Sequence, residues 1–185
     1  MVGKVFGRIV EARLRDFCEE RGLLDDCQFG FRKGRACEDA YLVLSEIAQR
    51  RGEDKVYAGF LDISKAYDSV WRKGMSYRLW KYGVRGKMWR VLKSLYSRCE
   101  VGVRVGGEVR SNEWYEEVVG LRQGCVLSPL LFALYINDLP TELERSEGEG
   151  VRRGEGRPVR CMMFADDIVL VDSTKEGVQK SLDVA

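Results

Sequence analysis

The stretch "CMMFADDIVLVDS", Cys161 to Ser173, restricts the fold more than any other part of the chain. Two short apolar runs flank Asp166 and Asp167 and predict a pair of buried strands. Carboxylates so close to apolar neighbours lose hydration, and the second adds repulsion to the first, so a positive group is expected beside them. Asp-Asp also suits a tight hairpin turn that merely faces water.

"KVYAGFLDI", Lys55 to Ile63, is a second β-rich run bounded by polar residues, and it predicts a buried central strand with Asp62 at its end. If the two segments lie side by side in one sheet, Asp62 and Asp166 face each other and can hold hard cations through oxygen ligands. Divalent metal would supply the missing positive charge and keep the acids ionised. Two such ions about 3.5 to 4 Å apart suit in-line phosphoryl transfer. Taken alone, Asp62 also fits a strand end or a helix cap.

Composition removes most other chemistries. The 185 residues contain no histidine, which excludes Ser-His and Cys-His hydrolases and most zinc arrangements. Cys18, Cys27, Cys37, Cys99, Cys125 and Cys161 are scattered without a Cys-x-x-Cys pair and are expected to be reduced, mostly packed thiols. With 45% hydrophobic residues the chain can build one ordinary core. The longest apolar stretch, around Val126 to Ile136, is broken by Ser128 and Pro129 and is too short to span a bilayer. The N-terminus has no signal-like layout, so a soluble intracellular protein is expected, with nucleus and cytoplasm indistinguishable.

Net charge is only +2, yet from Ser69 to Cys99 nine basic residues (Arg72, Lys73, Arg78, Lys81, Arg85, Lys87, Arg90, Lys93 and Arg98) meet no acidic one. Trp71, Tyr77, Trp80, Tyr82, Trp89 and Tyr96 interleave with them. Such a block can contact phosphates and stack on bases. It can also be an amphipathic helix pair with a solvated basic face and a buried aromatic one.

Elsewhere, helical spacing runs from Val5 to Arg21, stopped by Gly22, and a second helix around Tyr41 to Ala48 closes at Gly52. The helical pattern returns from about Asp68 to Tyr82 and from Lys87 to Ser97. "VGVRVGGEVR" predicts a hairpin turning at Gly106 and Gly107, with "EWYEEVVGL" a further strand candidate. "SPLLFALYINDLP" predicts a buried helix with Ser128 as N-cap, Pro129 first and Pro140 as terminator. The charged, Gly-rich "ERSEGEGVRRGEGRP", Glu144 to Pro158, predicts a mobile surface loop. The fold class expected is α+β, a mainly antiparallel sheet with helices on one face.

Five ordered blocks, "GKVFGRIVEARLRDF", "QFGFRKGR", "FLDISKAYDSVW", "GLRQGCVLSPLLFALYINDL" and "FADDIVL", cover most of the chain from Gly3 to Leu170. With them the chain resembles the reverse transcriptase domain of non-LTR (LINE-like) retrotransposons, related to group II intron reverse transcriptases. The resemblance implies a polymerase palm-type sheet, with residues 1–55 a partial helical fingers region and 56–185 palm. It implies a chain that begins inside the fingers and stops before the rest of the palm and the thumb. The implied activity is an RNA-directed DNA polymerase using an RNA template, a DNA primer, dNTP and two Mg²⁺ ions, with Mn²⁺ as a substitute and no membrane.

Residue by residue, the family's metal-binding aspartates fall on Asp62 and Asp166, with the Ile63 carbonyl as a helper and Asp167 as the partner acid of the same turn. Tyr67 matches the bulky gate under the sugar of the incoming nucleotide, a position that a core aromatic would also satisfy. Gln123 and Gly124 match the turn that touches the nascent base pair and template. Arg32, Lys33 and Arg35 resemble a fingers segment near template or nucleotide phosphates, and they are equally compatible with solvated loop charges. Two rivals stand beside this: a catalytically inactive retroelement fragment that at most binds nucleic acid, and an RNA-templated RNA polymerase or nucleotide cyclase sharing a palm. The latter fits the acids but fits "QFGFRKGR" and Tyr67 less well.

Overall fold

The computed structural model describes residues 2–50, 55–105, 108–152 and 156–185. Along them run α1 (Val2–Glu20), α2 (Cys37–Arg50), β1 (Tyr57–Asp62), α3 (Ala66–Ser69), α4 (Arg72–Lys81), α5 (Gly86–Ser97), β2 (Glu100–Val105) and β3 (Glu108–Glu116). They are followed by α6 (Ser128–Ile136), α7 (Leu139–Arg145), β4 (Cys161–Phe164), β5 (Asp167–Asp172) and α8 (Lys175–Val184). The chain divides into two compact units, one of Met1–Phe17 with Lys65–Tyr135, the other of Cys18–Ser64 with Ile136–Ala185.

The second unit is built on a three-stranded antiparallel sheet in the order β1-β5-β4. The strands of its β4–β5 hairpin read as apolar runs on either side of Asp166 and Asp167 because both faces are covered. Cys161, Met163, Ile168 and Leu170 pack with Leu143 of α7 and with Ile136, Leu139 and Leu182. On the other face Met162 and Val171 pack with Phe29 and Ile47, joined by Ala40, Val43 and Leu44 of α2. The antiparallel sheet is as expected, but helices lie on both of its faces instead of one. Each large side chain buried this way contributes about 1.5–3 kcal/mol, so neither face of the hairpin tolerates a polar replacement.

β1 differs from the central strand anticipated for it. It stands at one end of the three-strand order, its residues alternate between half-buried and exposed, and Phe60 keeps 71% of its surface. Val178 and Leu182 of α8 close over Gly59 on one face. An apolar run is compatible with one covered face or two, and only the packed helix decides between them.

The Glu144–Pro158 segment also departs from expectation. Residues 153–155 lie outside the described residues, but Val151 is fully buried and exchanges backbone hydrogen bonds with Val159, both at 2.8 Å. Gly150 N–H donates to the Asp172 carboxylate at 2.8 Å. That carboxylate also accepts from Thr174 N–H at 2.9 Å and from the Thr174 hydroxyl at 3.1 Å, which ties the loop to the start of α8. Burial pushes Asp172 up, but the Gly150 and Thr174 donors, with the Arg160 charge, hold it below the usual carboxylate value. A lowered folded value stabilises above the unfolded value of about 3.9 and is lost as pH falls through the folded one. Asp172→Ala is therefore expected to cost about 3 kcal/mol by stranding these donors, read by urea unfolding at neutral pH. Its deficit against wild type should shrink below about pH 4.

In the first unit β2 and β3 pair antiparallel, Glu100 opposite Glu116 and Gly102 opposite Trp114. "EWYE" is therefore the end of β3 and not a separate strand, and the turn expected at Gly106 and Gly107 lies outside the described residues. The helix anticipated from Asp68 to Tyr82 is split into α3 and α4 at Val70 and Trp71, where the Val70 carbonyl accepts from Gly120 N–H at 2.8 Å. α6 is buried from Leu130 to Leu134, as its all-round apolar surface predicts. Ser128 does not act as the expected cap: its hydroxyl donates to the Arg122 carbonyl at 2.7 Å. Pro140 sits in the first turn of α7 after a break at Asn137 and Asp138, where proline's missing N–H is harmless, so it opens a helix instead of ending one.

All six cysteines are free. The hydrogen bond to Cys161, followed by burial, pushes the Cys27 thiol far up, which keeps it protonated and inert. Among the described residues no helix is long and apolar enough to cross a membrane.

Candidate active site

Asp62 ends β1, Asp167 opens β5, and the two are direct cross-strand partners in the second unit. Asp166 follows Ala165 in the two-residue turn between β4 and β5, and Ala165 is left-handed with φ 59°. Positive φ at the first turn position is the feature that the hairpin-compatible primed turns share, and it twists with the strands. Ile63 N–H donates to the Asp166 carbonyl at 3.4 Å. The register thus sets Asp167, not Asp166, opposite Asp62, and it sets Asp166 opposite Ile63. The acid pair lies at a hairpin turn and also beside Asp62. Asp62 and Asp167 are exposed and Asp166 half-buried, at the rim of the apolar sheet where water reaches them.

Like charges directly across an antiparallel pair repel. Among the described residues no lysine or arginine forms an ion pair with Asp62, Asp166 or Asp167, so these residues leave the repulsion in place. Among the same residues no group of three His, Cys, Asp or Glu side chains is arranged to hold a metal alone. Mg²⁺ does not require one: it commonly takes one or two carboxylates and completes its shell with water and substrate phosphate oxygens. The hard oxygen donors at these strand ends fit that demand.

The turn rests on "QFGF". Met163 N–H donates to the Cys27 carbonyl and Phe29 N–H to the Met163 carbonyl, each at 2.8 Å, so Gln28 continues the sheet as a parallel neighbour of β4. Gln28 is 0% exposed, and its Oε1 accepts from Gly30 N–H at 2.9 Å. A Cβ on Gly30 would overlap the Ala165 backbone nitrogen and lie 3.0 Å from the Phe164 carbonyl carbon. Gly30 therefore sets how the acidic turn sits, a role that inspection of the basic residues in "QFGFRKGR" passes over. The glycine between two phenylalanines was the available signal.

Two of those basic residues are occupied inside the protein. Arg32 donates to the Asp25 carbonyl at 3.0 Å and pairs with Glu19 at 3.3 Å. Arg35 binds Asp26 through its carboxylate at 2.5 Å and through its carbonyl, and lies over the Phe29 ring at 5.4 Å. Lys33 is exposed. Asn137, which sequence inspection also missed, is buried and joins the Leu23 carbonyl and the Asp25 N–H, each at 2.8 Å. An apolar groove of about 200 Å³, lined by Ala40, Tyr41, Leu44, Phe164 and Val169, reaches Asp167.

Tyr67, Gln123 and Gly124 belong to the first unit. Lys65, left-handed at φ 53°, starts α3 and its short turn. The Tyr67 carbonyl accepts from Leu121 N–H at 2.7 Å, and the Gln123 amide donates to Asp68 at 2.9 Å. The "GLRQG" segment is thereby laced to the turn after Lys65. Gly120 must be glycine: its φ is +82° and a Cβ would lie 2.8 Å from the Asp68 carbonyl oxygen. The Tyr67 ring packs 5.2 Å from Phe132. Gln123 and Gly124 are exposed, with Gly124 at φ +73°.

A family profile described as "Reverse transcriptase (RNA-dependent DNA polymerase)" matches residues 1–185. The chain is 31% identical over 177 residues to a probable RNA-directed DNA polymerase from transposon BS of Drosophila melanogaster, covering 94% of this chain and 18% of that protein. It is 31% identical to the RNA-directed DNA polymerase from mobile element jockey of Drosophila funebris, with 94% and 18% covered. It is also 31% identical to a retrovirus-related Pol polyprotein from type-1 retrotransposable element R2 of Nasonia vitripennis, with 96% and 17% covered. The chain thus spans less than a fifth of the length of these relatives. Among solved structures, apo telomerase of Candida tropicalis truncated from its C-terminal domain matches with a TM-score of 0.58 at 14% identity, covering 96% of this chain and 35% of that one. That likeness concerns the fold.

Proposed function

Because this chain belongs to the reverse transcriptase (RNA-dependent DNA polymerase) family, we propose that it carries the carboxylates of an RNA-directed DNA polymerase of the non-LTR retrotransposon type. The observation that carries the proposal is the cross-strand pairing of Asp62 with Asp167, with Asp166 next in the turn and no basic side chain paired to any of them among the described residues. In this reading residues 1–55 supply part of the fingers and 56–185 the palm.

The reaction joins a primer 3′-oxygen to the α-phosphorus of a dNTP: that O–P bond forms, the bond to pyrophosphate breaks, and the hydroxyl proton leaves to solvent. Asp62 and Asp166 would hold Mg²⁺, assisted by the Ile63 carbonyl, while Asp167 adds negative potential beside them. Magnesium bound there supplies charge that stabilises the attacking and leaving oxygens. Template choice follows base pairing, so the protein's part is to hold an RNA template and a DNA primer by backbone and shape. Gln123 and Gly124 serve the nascent pair. Of the three basic residues in "GFRKGR", Lys33 is the one left exposed for a phosphate, while Arg32 and Arg35 brace their own loop.

Primer extension on an RNA template with dNTP and Mg²⁺ or Mn²⁺ tests this. Metal-dependent extension lost in Asp166→Asn supports it, and an inert wild type that still binds RNA in a salt-sensitive way supports the inactive-fragment alternative. The gate role of Tyr67 has its own outcome. Tyr67→Val is expected to raise ribonucleotide incorporation relative to deoxynucleotide by about tenfold or more, since removing a clash of about 1.4 kcal/mol changes a ratio tenfold. Unchanged sugar choice would leave Tyr67 a packing role beside Phe132.

A further inference from the structure

We propose that the face formed by α4 and α5 is a second nucleic-acid site, one that binds a single-stranded polynucleotide through stacked bases and phosphates. It is independent of the polymerase proposal, because it needs no metal, nucleotide or chemical step.

The two helices satisfy their packing with Met75, Leu79, Leu92 and Tyr96, all buried. Three other aromatics of the block do not go inside: Trp71 and Tyr77 are each 59% exposed and Trp80 is 49% exposed. Large rings left in water by helices whose cores are already filled mark a contact surface. The buried-aromatic alternative holds for Tyr96 and fails for these three.

Charge selects the occupant. Of the nine basic residues between Ser69 and Cys99, Arg72 is buried and Arg78 half-buried, which leaves seven exposed, and that interval holds no acid. Cations lie against the rings themselves: Arg85 over Trp80 at 3.9 Å, Lys93 over Trp89 at 4.8 Å and Lys81 over Tyr77 at 5.6 Å. A groove of about 540 Å³ is lined among others by Lys73, Tyr77, Trp80, Trp89 and Lys93. Its acidic wall is partly neutralised, since Glu117 pairs with Arg72 at 2.6 Å, while Glu116 is exposed. Rings that offer a π-face beside cations bind strands whose bases are unstacked, whereas a duplex offers these rings no base face. An anionic membrane would also attract such a helix pair, and a preference for anionic vesicles is the outcome that would show it.

The test is a fluorescence titration in EDTA, which silences any metal-dependent site. All four tryptophans, Trp71, Trp80, Trp89 and Trp114, belong to this unit, so a short single-stranded oligouridylate should quench their emission on binding. Trp80→Ala is expected to weaken binding about tenfold, the worth of roughly one stacked base. Replacing Lys73 and Lys93 by alanine should flatten the dependence of log K on log salt by about 0.7 for each phosphate that is no longer neutralised. These residues are exposed, so melting curves should match wild type; should Trp80→Ala unfold, Tyr77→Ala makes the same measurement. The proposal is overturned by absent quenching, by Trp80→Ala or Tyr77→Ala binding like wild type, or by an RNA duplex binding as tightly as the single strand. Preference for polyglutamate or for phosphatidylglycerol vesicles over the oligonucleotide overturns it too, in favour of an acidic protein or a membrane. Failure of primer extension bears only on the polymerase proposal.

Discussion

Asp62→Asn is expected to reduce primer extension on the order of a thousandfold while leaving the fold as stable as wild type or slightly more stable. The two effects have opposite signs for one physical reason. In the free protein Asp62 faces Asp167 across the strands with no basic partner among the described residues, so neutralising it removes a repulsion worth about 0.2–1 kcal/mol. In the proposed reaction the same carboxylate would hold the metal charge that offsets the phosphoryl oxygens, a contribution of several kcal/mol, each 1.4 kcal/mol being about a factor of ten. A structural role predicts the reverse pattern, with stability falling and activity following it. Thermal unfolding supplies a second readout: Mg²⁺ should raise the melting temperature of wild type and do so less for Asp62→Asn, since only a ligand of the folded state stabilises it. If Asp62→Asn extends primers at the wild-type rate, the metal site is wrongly assigned.

Gly30→Ala should be the most damaging change outside the acids. The added methyl meets main-chain atoms of Phe164 and Ala165, which cannot swing aside as a side chain tip can, so the hairpin carrying Asp166 and Asp167 must shift. Overpacking of this kind costs about 1–3 kcal/mol, and in a chain of this size each kcal/mol lowers the melting temperature by about 2–4 °C. Displacing a reactive group by about 1 Å from a distance costs about a hundredfold in rate. Gly7→Ala in α1 is the control: it has open space around it, and alanine favours helix by about 1 kcal/mol. Melting and extension equal to wild type in Gly30→Ala would mean that "QFGF" does not position the turn.

Much of this was legible along the chain, and what was legible was local. A short apolar run cut by Asp-Asp can form little but a hairpin, and β4 and β5 are that hairpin. Gly22, left-handed at φ 56°, ends α1 as a glycine after a periodic helix should. The five blocks pointed to the family that the profile matches over residues 1–185. Expectations failed where a segment's state depends on a distant partner. "ERSEGEGVRRGEGRP" has the composition of a free loop, yet buried Val151 and the Asp172 carboxylate hold its middle. For Arg32 and Arg35 the sequence left phosphate contact and solvated charge equally open, and it did not show that Glu19, Asp25 and Asp26 engage them.

Side-chain order alone determined that this chain has apolar β-runs next to carboxylates, an all-apolar helix at Ser128–Ile136 and a basic, aromatic helix pair, because periodicity and punctuation act within a few residues. Tertiary structure decided that Asp167 stands across from Asp62, that Gly30 lies beneath the acidic turn, and which rings of the helix pair remain in water. Hydrogen-bond register and close packing between residues more than a hundred positions apart are settled by the shapes that meet, and a linear pattern does not say which shapes those are.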